Sequence, residues 1–178
     1  MRRRRRFSSS EKRAYALSNS LFKVDIKVTP SMRRKVDDLA LWLAAGDKSR
    51  VKSATQAVLD LLCAAAQVPE ATLKLKDTAY AKFRGGKAVW KLYGTCERDG
   101  TITVAYKTAV RRQVFAFKTY LNTVVHEFMH HYDHWKLRLA ASFHTSGFYN
   151  RVRDLYRRLL PAEASGSRDP QAPAELLG

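Results

Sequence analysis

The stretch FKTYLNTVVHEFMHHYDHW, residues 117–135, decides how the rest of this sequence is interpreted. Apolar side chains recur in it every three or four residues, which is the period of a helix with one face buried in a core. They are Leu121, Val124, Val125, Phe128 and Tyr132. His126 and His130 are four positions apart, so on a helix they lie on one face about one turn from each other. The stretch therefore predicts a long packed helix that presents two imidazoles side by side.

The HEFMH segment at residues 126–130 is typical of a metal site. Two imidazoles at this spacing can bind one Zn²⁺ at about 2.0–2.1 Å. Glu127 is too short and misdirected to be a ligand, but its carboxylate can reach a water on the metal. A helix with surface histidines is the alternative, although all five histidines of the chain lie within residues 126–144. A di-iron bundle is a weaker alternative, because it needs a second Glu-x-x-His pair that the chain lacks.

A catalytic zinc site takes three protein ligands, and His144 is the predicted third one. His134 lies too far along the helix, since a rise of about 1.5 Å per residue puts it about 12 Å from His126. His131 points about 100° away from His130 and therefore cannot share its metal. A chain reversal after the helix can bring His144 over the metal.

Three further residues are candidates for supporting roles at this site. No acidic residue occurs between Asp133 and Asp154, so a carboxylate as third ligand has little support. Asp133 is instead expected to accept a hydrogen bond from the free N–H of a ligand histidine, or else to be a plain solvated charge. Tyr149 and Arg151 follow His144 closely and are candidates for stabilising an oxyanion. Ordinary helix packing or solvation is the preferred interpretation of these two.

The remaining sequence predicts an α+β domain with a small twisted sheet of three to four strands and helices on one side. A strand is predicted at residues 22–28 (FKVDIKV), where apolar and charged residues alternate. Further strands are predicted at 72–75, 88–95 and 101–107, with a loop at Gly85-Gly86 and a turn at Asp99-Gly100. Helices are predicted from about residue 31 to 46, from 49 or 53 to about 66 behind the sheet, and from about 145 to 160.

Composition sets the expected domain boundaries. Residues 1–20 are polar and basic and are expected to be a disordered arm. Residues 21–160 are expected to form one domain, with 21–50 as a candidate N-terminal extension. Residues 161–178 are rich in turn-forming residues and low in apolar ones, which predicts a disordered tail.

The 178-residue chain has 33 Lys and Arg against 16 Asp and Glu, a formal net charge of +17. This charge favours polyanions such as nucleic acid, an anionic membrane or an acidic protein, although it also serves solubility alone. The candidates for nucleic-acid contacts are Arg2, Arg3, Arg4, Arg5 and Arg6. No apolar run reaches the roughly 18 residues that span a bilayer. With no apolar signal segment and no CxxC pair, a cytoplasmic protein without membrane contact is expected, its oligomeric state left open.

Residues 52–160 resemble the small HExxH zincin metallopeptidases, among them the SprT-like proteases and the minigluzincins. The segment SFHTSGFYNRV at residues 142–152 is similar to the SprT-like region in which a third histidine is followed by a glycine and an aromatic residue. The resemblance implies that His144 is the third zinc ligand and Glu127 the catalytic acid/base. It also implies that residues 101–106 are the edge strand that pairs with an extended substrate. Minigluzincins use a glutamate as third ligand, which is lacking here, so the SprT-like family is favoured.

A second, weaker resemblance covers residues 21–66, whose strand and two helices are similar to a ribbon-helix-helix DNA-binding unit. It implies that Lys23, Asp25 and Lys27 face DNA. The favoured alternative is that these elements pack on the zincin-like domain.

Together these features predict zinc-dependent hydrolysis of peptide bonds in a protein or peptide, with Glu127 as general base. The SprT-like resemblance implies substrates at DNA–protein crosslinks. The competing hypothesis is a basic nucleic-acid-binding module whose zinc site is structural or degenerate. A third hypothesis is a dormant peptidase in which the tail at residues 161–178 covers the cleft.

Overall fold

The structure, a computed structural model, describes residues 7–139 and 141–160. This part of the chain has five helices and two small sheets, which is the mixed α+β class expected from the sequence. The helices are α1 (Ser9–Ser20), α2 (Pro30–Ala45), α3 (Lys48–Ala66), α4 (Phe117–Trp135) and α5 (Ser146–Leu159). The strands are β1 (Thr72–Thr78), β2 (Tyr80–Arg84), β3 (Lys87–Leu92), β4 (Gly94–Cys96) and β5 (Thr101–Lys107).

The larger sheet has three strands in the order β1-β5-β4. β1 runs parallel to β5 with Leu75 opposite Val104. β4 runs antiparallel to β5 on its other side, with Gly94 opposite the same valine. The first six residues of β5 are all buried, as expected of a central strand with neighbours on both sides.

The strand predicted at residues 88–95 is two strands in the structure. β3 pairs with β2 in a separate antiparallel sheet that turns at Gly85-Gly86, whereas β4 joins the larger sheet. The chain changes partner at Tyr93, whose carbonyl accepts a hydrogen bond from the Ala105 N–H at 2.8 Å. The predicted turn at Asp99-Gly100 connects β4 to β5, and Gly100 has a φ of 89° that favours glycine.

The three long helices α2, α3 and α4 pack against one another and form the main core. The turn between α2 and α3 has Gly46 in the left-handed region and Asp47 as the N-cap of α3, where its side chain accepts from the Arg50 N–H. α4 also contacts α5, β4 and β5. Leu121 and Phe128 of α4 are fully buried, so this helix is held from several sides.

The strand predicted at residues 22–28 does not form. Val24 and Ile26 are buried as the alternation predicts, but the segment has no strand partner among the described residues. Its backbone is bonded to α5 instead: the Val24 N–H donates to Asp154, and Arg158 donates to the carbonyls of Val24 and Ile26. These two side chains of α5 take the place of the backbone hydrogen bonds that a neighbouring strand would make. The segment therefore packs as one unit with α5.

The disordered arm predicted at residues 1–20 is wrong for its second half, which forms α1. Ser8 and Glu11 make a capping box at the start of this helix, and Ala14 and Ser18 are buried against α5. The close approach needs Gly147, because a Cβ there would lie 2.1 Å from the Ser18 carbonyl oxygen. The arginines at residues 2–6 and the tail at 161–178 lie outside the described residues. Among those that are described, no helix is long and apolar enough to cross a membrane.

Candidate metal centre

Three histidines meet beside the second half of α4. His126 and His130 lie one turn apart on the helix, and His144 comes from the loop that leads into α5. The three Nε2 atoms form a triangle with sides of 3.1 Å (His126 to His144), 3.2 Å (His126 to His130) and 3.0 Å (His130 to His144). These three side chains could therefore hold one metal ion.

The geometry and the chemistry of this triad both fit an ion. Nitrogens held at about 2.0–2.1 Å in a tetrahedral arrangement lie about 3.3–3.4 Å apart, so the triangle needs only a slight expansion. Burial, reinforced by the neighbouring imidazoles, lowers the pKa of His126 to about 3 and that of His130 to about 2. Both side chains are then neutral near pH 7, which is the form of imidazole that binds a metal.

Glu127 lies beside the triad and is 5% exposed. Burial raises the pKa of its carboxyl group to about 8. The side chain runs along the backbone of β4 at Gly94, where an added Cβ would lie 2.7 Å from Glu127 Cγ and 2.8 Å from Oε1. Gly94 thus makes room for the carboxyl group, a role that no local sequence signal indicates.

An open cavity of about 380 Å³ gives access to the triad. Its wall is formed by the histidines and Glu127 on one side and by β4 on the other. Such a volume is in the range of small-molecule and peptide-binding clefts. A ligand in this cavity would contact the triad, Glu127 and the edge of the larger sheet at once.

A buried chain of polar groups orients His130. Its Nδ1 lies 2.8 Å from Ser142 Oγ, and Ser142 Oγ donates to Asp133 Oδ2 at 2.9 Å. With Ser142 donating to the carboxylate, its oxygen accepts from Nδ1–H, which leaves Nε2 free for a metal. The direct bond expected between Asp133 and a ligand histidine is therefore replaced by a bond through Ser142, a residue that the sequence reasoning missed.

Comparison of this chain with protein-family models, curated proteins and solved structures finds no match. Inference about function therefore depends on the site's own side chains.

The oxyanion role considered for Arg151 is wrong. Its side chain is fully buried, and one terminal nitrogen donates to both carboxylate oxygens of Asp133, at 2.8 and 2.9 Å. The other donates to the carbonyls of Ser18 and Leu21. Arg151 therefore ties α1 to α4 and does not face the cavity. The interpretation of this residue as helix packing is the correct one.

Tyr149 does lie close to the triad. Its ring stacks on His144 with 5.7 Å between centroids and an interplanar angle of 27°. It also lies 6.2 Å from the His126 ring. An oxyanion role for its hydroxyl group stays a prediction.

The strand next to the cavity is β4, and not β5 as the family resemblance implied for residues 101–106. β5 is central and has both edges occupied. In the β4–β5 pair the Glu97 N–H donates to the Thr101 carbonyl, as the Ala105 N–H does to that of Tyr93. Because an antiparallel ladder alternates, the backbone groups of Gly94 and Cys96 point away from β5. Among the described residues, no strand pairs with this outer side of β4, which is therefore the sheet's open edge beside the cavity.

Proposed function

We propose that this protein is a zinc-dependent peptidase of the HExxH zincin class, of the SprT-like kind. The observation that carries the proposal is the convergence of three imidazole nitrogens within 3.0–3.2 Å, with the Glu127 carboxyl group in the wall of the same cavity. A catalytic zinc site consists of three protein ligands and an open position, whereas structural sites have four. Among the described residues the potential metal-binding group has three members.

The ligands would be His126, His130 and His144, and imidazole nitrogen is a preferred donor for zinc. When bound, zinc would polarise the substrate carbonyl and lower the pKa of a coordinated water toward about 7. The Asp133–Ser142 chain keeps the His130 ring in the tautomer that binds.

Glu127 would act as general base and then as general acid. The positive charge of a bound zinc would favour the ionised carboxylate over the protonated form that burial favours without metal. The carboxylate would then accept a proton from the attacking water as the new C–O bond forms at the scissile carbonyl. It then returns this proton to the amide nitrogen as the C–N bond breaks, so the products are a carboxylate and an amine. The absence of a side chain at Gly94 leaves room for this carboxyl group at the cavity wall, which supports the proposed role.

The substrate would be an extended peptide that adds to the open edge of β4. The N–H and C=O groups of Gly94 and Cys96 offer main-chain hydrogen bonds, as in other cases of strand addition to a sheet edge. Main-chain hydrogen bonds select for an extended backbone and not for particular side chains. Any preference for substrate side chains would come from the residues that line the cavity. The proposal therefore favours unfolded or flexible segments as substrates.

Hydrolysis of denatured casein by the zinc-loaded protein tests this proposal. Glu127→Gln should retain zinc and the fold but lose hydrolysis, because an amide cannot accept the proton. The matched control is Glu97→Gln, which changes an exposed carboxylate lining the same cavity and should leave hydrolysis unchanged. Equal hydrolysis by the wild type and Glu127→Gln would refute the mechanism.

A further inference from the structure

The β2–β3 hairpin stands apart from the rest of the fold. Within the described part of the chain its two strands pair only with each other, from Tyr80 opposite Leu92 to Arg84 opposite Lys87, in a sheet separate from the one that borders the metal centre. A two-stranded hairpin is marginally stable by itself. Large apolar groups exposed on such an element therefore indicate a binding surface more strongly than they would on a packed helix.

The hairpin exposes aromatic rings. Tyr80 is 59% exposed and Phe83 52% exposed. Trp90 is partly exposed, and its ring meets that of Tyr80 edge-on with 5.8 Å between centroids. Register explains this contact: Tyr80 and Lys82 are two positions apart, and Lys82 is opposite Trp90, so all three share one face. Phe83 follows Lys82 directly and lies on the opposite face.

Every charged residue of the hairpin is basic. Lys82, Arg84, Lys87 and Lys91 lie within residues 80–92, which contain no Asp or Glu. None of the four pairs with a carboxylate in the part of the chain that the structure describes. The element thus combines uncompensated cations with rings open to solvent.

We propose that the β2–β3 hairpin binds single-stranded nucleic acid, with its aromatic rings stacked on bases and its cations on the flanking phosphates. Base–aromatic stacking beside a basic track is the general mode of single-strand binding. A duplex keeps its bases stacked inside, so the Tyr80 and Trp90 rings on this face would have no base faces to contact. An acidic polypeptide would use the cations but would leave the rings without a role.

The hairpin leads directly to the metal centre. Leu92, the last residue of β3, lines the cavity, and β4 begins two residues later. A single strand of nucleic acid bound to the hairpin would therefore lie at the rim of that cavity. The binding itself does not depend on the proposed hydrolysis and can be measured in the Glu127→Gln variant.

Fluorescence anisotropy of labelled oligo-dT of about 20 nucleotides, titrated with the full chain, tests the proposal. Tyr80→Val with Trp90→Val keeps apolar, β-forming side chains but removes the two rings of this face. It should weaken binding by about tenfold or more with no change in salt dependence. Lys82→Gln with Arg84→Gln should also weaken binding, and should lower the slope of log affinity against log salt by about 1.4.

The matched control is Arg34→Gln with Lys52→Gln, which removes the same charge from exposed positions on α2 and α3. This variant should bind within about twofold of the wild type. Circular dichroism checks that each variant is folded. Wild-type affinity in both hairpin variants would overturn the proposal, as would tighter binding to a duplex of the same length. Competition by polyglutamate as effective as that by oligo-dT would assign the surface to acidic polypeptides instead.

Discussion

Gly94 controls the position of Glu127, and its replacement isolates that role. Gly94 does not have a positive φ, so the backbone accepts alanine, but the new Cβ would lie 2.7 Å from Glu127 Cγ. We expect Gly94→Ala to bind zinc normally and to lose between about tenfold and a hundredfold in hydrolysis of casein, because the carboxyl group is displaced. Zinc analysis and an activity assay check this together. Full activity would show that Glu127 tolerates the shift.

Ser142 joins His130 to Asp133, and its hydroxyl group can be removed without touching a ligand. Ser142→Ala should weaken zinc binding by about 10- to 100-fold, the usual effect of losing a hydrogen bond that orients a ligand histidine. Competition with a chromophoric chelator measures this affinity. Ser146→Ala is the control, since that hydroxyl group bonds Asn19 at the surface near the same loop. Equal affinities in the two variants would argue against the orienting chain.

Three buried groups with large pKa shifts contribute to the pH dependence of the metal-free protein's stability. Burial raises the pKa of Glu127 from 4.5 to about 8, so its contribution to stability is complete below pH 4.5 and is lost as pH rises through 8. Burial lowers the pKa values of His126 and His130 from 6.5 to about 3 and about 2. Their contribution is present above pH 6.5 and is lost as pH falls toward these values.

We therefore expect the chelator-treated protein to be most stable near about pH 6.5. At this pH the stabilisation from neutral His126 and His130 is nearly complete, and at higher pH the contribution of Glu127 continues to fall. Between pH 6.5 and 8 its free energy of unfolding should decrease, and Glu127→Gln should remove this decrease. Urea denaturation across this range measures the effect. The same decrease in the variant would assign it to another group.

At the scale of secondary-structure elements, the contact between α1 and α5 decides whether Gly147→Ala raises or lowers the free energy of unfolding. Alanine is favoured over glycine in a helix by up to about 1 kcal/mol. At position 147, however, its Cβ would lie 2.1 Å from the Ser18 carbonyl oxygen, a backbone atom that cannot move alone. We expect Gly147→Ala to lower the free energy of unfolding by about 1–3 kcal/mol. In a chain that begins at Phe22 the clash is absent, and the substitution should instead be neutral or stabilising.

At the scale of the whole molecule, zinc would join α4 to the loop before α5. A ligand that binds only the folded state stabilises it, by about 4 kcal/mol when its concentration is a thousand times its Kd. We expect zinc to raise the melting temperature of the wild type and to have little effect on His144→Ala. His134→Ala is the control, since His134 lines the cavity outside the triad. A zinc effect in His144→Ala as large as in the wild type would place the metal elsewhere.

Local sequence determined the element that carries the site. The helix predicted at roughly residues 117–135 is confirmed as α4, because its apolar period and the spacing of His126 and His130 are properties of a single helix. The Asp99-Gly100 turn and the ends of α2 and α5 follow from equally local preferences. The chain reversal that brings His144 to the triad is also predictable from the sequence, because α4 has no other imidazole within reach of the same metal.

Only the tertiary structure decided which partner each segment meets. The alternating segment at residues 22–28 bonds to α5 and forms no strand, and α1 is ordered by the groove that Gly147 leaves open. The order β1-β5-β4 makes β4, and not β5, the open edge beside the cavity. Ser142 and Gly94 act through contacts with residues far away in the chain. Such contacts depend on how distant segments pack, and the pattern of residues within one segment does not record them.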